Sequence, residues 1–402
     1  MTETEIEEKV KRFWDARNKF LDEKELKEQD EMLETVDECE FIDPSSERPV
    51  KVVDFVRWLD ADDLLETIRD AYPYFDFIKK RFDPRMKFVG YLCLARARSI
   101  KSAYDSLTDV DWRKLGFEEK PSYEILREFT NERIGAERLP KLFNRILENA
   151  VFIGKRKGLE IGKRTMEDAT DIPALKHDPE SEYSGYYKEW GRKVDITLDA
   201  DYQIPLDYRP IGINEDEGKC LPASQEKLKS LGIEEKERIV DDKYATFENI
   251  ASSKSKGTNL IFKIAKNWKR ESVDEIEKAV RDRYQKYHNE RDFISTKSVS
   301  CMLGYLYEKG EHELVGRYYR AENMEIANTA EYRRKCNERS AKMEGSNGYL
   351  KNVAGLCDRF RRRGWRAFLM KIGLTLLSIM FAALIRLQNG ITKNLGNVTY
   401  VV

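Results

Sequence analysis

Histidine is nearly missing from this chain: 402 residues contain three, at 177, 288 and 312. The six cysteines, Cys39, Cys93, Cys220, Cys301, Cys336 and Cys357, include no C-x-x-C pair. With no ligand spacing among either type, a structural zinc site is not expected. Scattered cysteines in a chain of this length point instead to reduced thiols and an intracellular location. There is no internal repeat and no low-complexity tract. The start, Met-Thr-Glu-Thr-Glu-Ile-Glu-Glu, is acidic and polar, unlike a secretory signal. A long charge-free run is also lacking. The one candidate, Ile372–Ile385, is bounded by Lys371 and Arg386 and falls short of the ~20 apolar residues that span a bilayer. A buried core helix is expected there, and no membrane partner, although Arg361, Arg362 and Arg363 lie just before it as they would before a tail anchor.

Net charge is nearly absent too, at -1, because 72 Lys and Arg balance 73 Asp and Glu. The balance hides an asymmetry. Acids outnumber bases in residues 1–50, whereas residues 333–371 are strongly basic. A basic surface at that place suits a nucleic-acid reader, although charges can also segregate with no partner involved. Charged residues make up 36% of the chain and hydrophobic residues 41%, enough for a sizeable core under a heavily charged surface.

The length suggests two domains, or one carrying an insertion. The first forty residues form a weakly amphipathic helical pattern. Helical patterns resume over Val53–Tyr72 and Met86–Leu107, and again after Pro121, where Ser122 can cap a helix bearing Tyr123, Leu126 and Phe129. After Asn149 short apolar runs, Ala150–Ile153 and around Ile161, lead to Asp168. Strand patterns follow at Val194–Leu198 and Ile204–Ile213, separated by the turn-like Asp-Ala-Asp-Tyr-Gln. A helix at Ser224–Leu231, a strand at Arg238–Val240, a helix from Phe247 and a strand at Asn259–Ile264 complete an alternating pattern, which predicts a mixed α/β sheet with flanking helices. An aromatic-rich insertion spans about 266–328; its Trp268 and tyrosines are expected mainly in a core. Helix returns from Ala330, and the apolar helix Phe368–Leu387 closes the core. The domains expected are an α-helical amino-terminal region (1–118), a helical connection (119–160) and an α/β domain (161–390).

Three acids stand in suggestive settings. Asp168 and Asp241 sit where apolar strands end, and Glu344 sits on a predicted helix. A carboxylate at a strand end is costly unless a cation neutralises it together with its neighbours. Three that converge make the oxygen cage that Mg²⁺ requires, and two such ions activate water at a phosphodiester. Acid positions alone favour solvated or ion-paired carboxylates, because acids are so abundant here.

Local context adds to this. From about Pro121 to Asn389 the chain resembles the insertion-sequence DDE transposases. Pro121-Ser122-Tyr123-Glu124-Ile125-Leu126-Arg127-Glu128-Phe129 looks like the helix before their catalytic domain, and Asp168-Ala169-Thr170 like their Asp-Gly-Thr motif. Gly191-Arg192-Lys193-Val194, Ile204-Pro205-Leu206 and Asn214-Glu215-Asp216 resemble their second and third strands and the following loop. Ile239-Val240-Asp241-Asp242-Lys243-Tyr244 resembles the second motif. Glu344 and Lys351 resemble the Glu-x6-Lys end of their Tyr-Arg-Glu-Lys signature.

The resemblance implies a ribonuclease-H-like catalytic domain interrupted after the Asn259–Ile264 strand, and an amino-terminal helical domain that helps bind element ends. It implies catalytic and metal-ligating roles for Asp168, Asp241 and Glu344 with two Mg²⁺ or Mn²⁺ ions. The reaction would be hydrolysis at the element ends, then strand transfer into target DNA. The partners implied are the two DNA duplexes and a second copy of the chain, in a cytoplasmic, nucleoid-associated setting. Lys351, Arg339, Arg359, Arg361, Arg362 and Arg363 are the DNA-contacting candidates. Several positions depart from the family pattern. Ala169 replaces the usual Gly, Asp242 competes with Asp241, and Glu338 competes with Glu344. Ser340 and Asn337 stand where the signature has Arg and Tyr, with Arg339 one position early. Two other readings stay open: a nuclease of the same fold without strand transfer, and a transposase-derived DNA-binding protein that no longer cleaves.

Overall fold

In a computed structural model, residues 51–72, 75, 83–175, 177–265, 268–287, 297–354, 356 and 363–397 are described. Backbone contacts separate residues 1–48 from 49–402, so the amphipathic pattern expected over the first forty residues lies outside the described part.

Helices lead. They are α1 (Val52–Val56), α2 (Asp83–Leu94), α3 (Ile100–Ser106), α4 (Asp109–Lys114), α5 (Tyr123–Glu128) and α6 (Gly135–Arg156), with a 3₁₀ segment at Asp62–Ala71. The long pattern expected from Met86 to Leu107 is broken because Arg96 takes a left-handed conformation (φ 52°) and Ser99 caps α3 through the Ser102 N–H. Ser122 does precede α5, but its side chain makes no capping hydrogen bond. The apolar run Ala150–Ile153 belongs to the last turns of α6. Its helical period continues Leu139, Leu142, Phe143, Ile146 and Leu147, all buried.

The sheet follows: β1 (Arg164–Pro173), β2 (Glu182–Ser184), β3 (Glu189–Asp199), β4 (Pro205–Gly212), β5 (Glu237–Val240) and β6 (Asn259–Phe262). Helices α7 (Leu221–Ser230) and α8 (Phe247–Ser255) alternate with the last two strands. The fold is mixed α/β. Strands β1, β3 and β4 run antiparallel in succession, with β2 on the same edge of β3 as β4, while β5 and then β6 add parallel to β1 on its other side. The β3–β4 turn falls at the predicted Asp-Ala-Asp-Tyr-Gln. Its Asp199 carboxylate accepts the N–H groups of Gly162, Asp201 and Tyr202 at 2.6, 2.8 and 2.6 Å, which fixes both the turn and the entry to β1.

One face of the sheet, carrying Met166, Ile172, Val194, Ile196 and Ile239, packs on α6 and on the closing helix α13 (Trp365–Gln388) in a continuous core that also takes in α1 to α5. Helix α13 is long and apolar enough to cross a membrane, yet 83% of its most apolar window is buried inside the protein. Gly373 lets it approach α6 closely, since a Cβ there would lie 2.7 Å from a Leu139 methyl. The expected insertion folds as α9 (Val273–Tyr287), α10 (Val299–Glu308) and α11 (His312–Ile326) around a small core of its own, with Tyr284 and Tyr318 buried in it. Helix α12 (Ala330–Gly348) then returns along β1 and β5.

Candidate functional site: a charge-compensated strand-end cleft

Two of the predicted acids meet because of register. In the parallel β1–β5 pair, Met166 sits opposite Ile239. Two residues further along each strand, on the same face, come Asp168 and Asp241. Strand β5 stops at Val240, and Asp241 turns the chain into a 3₁₀ segment over Asp242–Tyr244. Strand β1, by contrast, does not end at Asp168 as expected but runs on to Pro173, so the two carboxylates stand side by side just beyond the end of β5.

Between them lies a cation. From α12, Arg339 directs its guanidinium at both, 3.6 Å from Asp168 and 3.3 Å from Asp241, with its own side chain only 13% exposed. It is Asp241, the earlier of the adjacent pair 241 and 242, that shares Arg339 with Asp168. Burial pushes the Asp168 carboxyl up to about 6; Arg339 opposes that rise, and the neighbouring Asp241 adds to it. One guanidinium thus only partly offsets two crowded, half-buried acids.

Glu344 does not join them. It is exposed on α12, five residues from Arg339, and at 3.6 residues per turn that is about 140° further round the helix. Glu338 is held by Arg164 at 3.1 Å and by Lys342 at 2.6 Å, at the opposite end of β1. Lys351 pairs instead with Asp171, 3.1 Å away and three residues further along β1 than Asp168. Arg363 is exposed at the entry to α13, and Arg359, Arg361 and Arg362 lie outside the described residues.

Other members of the site escaped the sequence pattern. Glu217, in the loop after β4, receives Lys193 at 2.5 Å and Lys243 at 3.0 Å. Burial works against its charge, but these two hydrogen bonds hold its carboxyl below the ordinary value. Lys193 is the cross-strand neighbour of Asp171. No signal in the sequence set it apart, since Arg192, Asp195 and Asp199 are charged positions of the same strand. Around this end of the sheet, on its two faces, lie four carboxylates (Asp168, Asp171, Glu217, Asp241) and four cations (Lys193, Lys243, Arg339, Lys351), each acid with a cationic partner.

This donor set does not fit the two divalent ions that the sequence resemblance implies. A cation already bridges the two aspartates, and the third carboxylate is turned away. No cluster of three or more His, Cys, Asp or Glu side chains arranged to hold a metal occurs among the described residues. What the arrangement can do is present guanidinium and ammonium donors, backed by carboxylates, to an anion entering the cleft.

The opposite face of the sheet carries a buried polar layer that the strand patterns also concealed. Arg238 is fully buried between Glu167 at 2.5 Å and Glu235 at 2.8 Å, under Ser224 of α7. Burial and the adjacent Glu167 push the Asp195 carboxyl well above its usual range, and Asp195 accepts the Tyr244 hydroxyl. This layer ties β1, β3 and β5 to the segment that carries Asp241, so it fixes where the aspartate pair sits. Neither a protein-family model nor a curated protein matches the chain.

Proposed function

We propose that the chain is a DNA-binding protein of the DDE transposase class, built on a ribonuclease-H-like core, in which Arg339 takes the place of a third carboxylate and metal-dependent cleavage is lost. The strand arrangement supports the class: three successive antiparallel strands, then two strands added parallel to the first, so that Asp168 and Asp241 come side by side from neighbouring strands. Arg339 carries the rest of the reading. A guanidinium 3.3 and 3.6 Å from the two aspartates supplies one of the two positive charges that a divalent ion would bring, and occupies the place between them.

DNA is the partner this reading favours because exposed bases, Arg333, Arg334 and Arg363, lie on α12 and at the entry to α13. Phosphate contacts of this kind bind without reading sequence and weaken steeply with salt. The cleaving alternative, hydrolysis at element ends followed by strand transfer, requires Arg339 to leave and another donor to enter. The test pairs a binding titration on labelled duplex with a nicking assay in Mg²⁺ or Mn²⁺. Salt-sensitive binding without metal-dependent nicking is expected. Nicking that disappears in Asp168→Ala and Asp241→Ala would restore the cleaving alternative, and absence of binding at low salt would remove DNA as the partner.

A further inference from the structure

Eight large aromatic side chains are exposed among the described residues: Trp58, Phe152, Tyr183, Tyr186, Tyr187, Trp190, Tyr287 and Trp365. Four of them fall within residues 183–190 of the β2–β3 hairpin, and a fifth, Trp365, is tied to the same hairpin. The Trp365 N–H donates to Glu180, the Gly364 N–H donates to Asp178 at 3.2 Å, and the Arg192 guanidinium lies 5.6 Å from the Trp365 ring. A surface this rich in rings is costly to leave in water unless something covers it.

The hairpin's rings are splayed and do not stack face to face on one another. Tyr183 and Trp190 are cross-strand partners, tilted at 59° with centroids 5.8 Å apart. Tyr186 and Tyr187, in the turn, meet edge to face at 4.9 Å. Tyr186 is 84% exposed and Trp190 58%. The turn is held by Lys188 in a left-handed conformation (φ 58°), with its N–H on the Ser184 carbonyl at 2.8 Å, so the rings are displayed on a fixed support.

The hairpin also adjoins the cleft. Lys243, one of the Glu217 partners, places its ammonium 5.9 Å from the Tyr186 ring, and the Tyr187 hydroxyl lies in the field of Asp171, Lys243 and Glu217. Lys188 and Lys243 are exposed, Glu180 is engaged by the Trp365 N–H, and Glu182 by the Asn214 amide. Glu189 points to the other side of β3 from Trp190. All four exposed large hydrophobics of the hairpin are Tyr or Trp, with no exposed aliphatic among them, the flat π-faced set on which nucleobases stack.

We infer that the β2–β3 hairpin, with Trp365, is a stacking platform for unpaired nucleobases, which holds a single-stranded DNA segment next to the Asp168–Arg339–Asp241 cleft. The inference rests on the DNA-binding reading and adds the form of DNA recognised. Stacking on exposed aromatics is tolerant of sequence and strengthens binding by roughly tenfold per base.

The experiment measures affinity for three labelled probes at one salt concentration: a blunt duplex, the same duplex with a six-nucleotide single-stranded tail, and the single strand alone. The intact protein is expected to bind the tailed probe at least tenfold more tightly than the blunt one. Tyr186→Ala with Trp190→Ala should bring the tailed probe down to the blunt value and leave the blunt value unchanged, and Tyr186→Phe with Trp190→Phe should keep the preference. A tailed preference that survives the double alanine change overturns the platform while the DNA reading stands. Failure of the intact protein to bind any probe overturns both. Self-association that the double alanine change abolishes, with binding to all three probes unchanged, overturns the platform in favour of a protein interface.

Discussion

Replacing Arg339 by glutamate tests whether its guanidinium stands where a metal would. Each ion pair, at 3.3 and 3.6 Å, is worth about 5 kcal/mol of direct Coulomb energy at an effective dielectric constant near 20. Desolvation of a side chain only 13% exposed cancels much of that. Removing one partner of such a cluster costs about 3–5 kcal/mol, because the remaining charges lose their compensation. Arg339→Glu should therefore unfold at clearly lower urea in metal-free buffer near pH 7.5. It also gathers three carboxylates at the cleft. Mg²⁺ at a hundred times its dissociation constant would then restore about 2.7 kcal/mol. The wild-type midpoint should not move with Mg²⁺ at matched ionic strength, and Arg339→Gln should be destabilised without gaining a Mg²⁺ response. The assay is urea denaturation followed by tryptophan fluorescence with and without MgCl2. A wild-type midpoint that rises with Mg²⁺ as much as that of Arg339→Glu would refute the reasoning, since the site would then admit the ion with the guanidinium in place.

Three further outcomes are expected. Because burial raises Asp168 to about 6 from its ordinary 3.8, the folded state binds this proton more tightly than the unfolded chain, so stability falls as pH rises from about 4 to 6; denaturation midpoints across that range should be flatter in Asp168→Asn, and equal slopes would show that the residue is better solvated than its surroundings indicate. Leu377→Ala, in the fully buried stretch of α13, should cost about 2–5 kcal/mol by urea denaturation, while the intact protein stays in the aqueous phase on detergent partitioning; transfer into the detergent phase would overturn the core-helix assignment. Arg363→Ala should weaken binding to unrelated duplexes alike and reduce the slope of log K against log salt by about 0.9, and an unchanged slope would place Arg363 away from phosphate.

Period and punctuation in the sequence determined most of the scaffold. Apolar runs marked the cores of β3, β4, β5 and β6, though not β1, the Asp-Ala-Asp-Tyr-Gln turn marked the β3–β4 corner, and the uncharged run after Lys371 marked the buried helix, because each is a local property of the chain. The short edge strand β2 had no such signal: three residues, two of them exposed, leave no period to read. Asp241 was legible because β5 ends just before it, whereas Asp168 falls inside β1, which runs on to Pro173. Whether they meet was decided by the β1–β5 register, a contact between segments about seventy residues apart. The third position could not be read at all from spacing. Glu344 and Arg339 share one helix, and only the rotation of α12 about its axis, set by packing Tyr332, Met343 and their neighbours into the core, decides which of the two faces the aspartates. The buried Glu167–Arg238–Glu235 layer was hidden for the same reason. Charged residues in a strand look solvated until tertiary structure brings their partners, and a desolvated charge is tolerable only once it is paired.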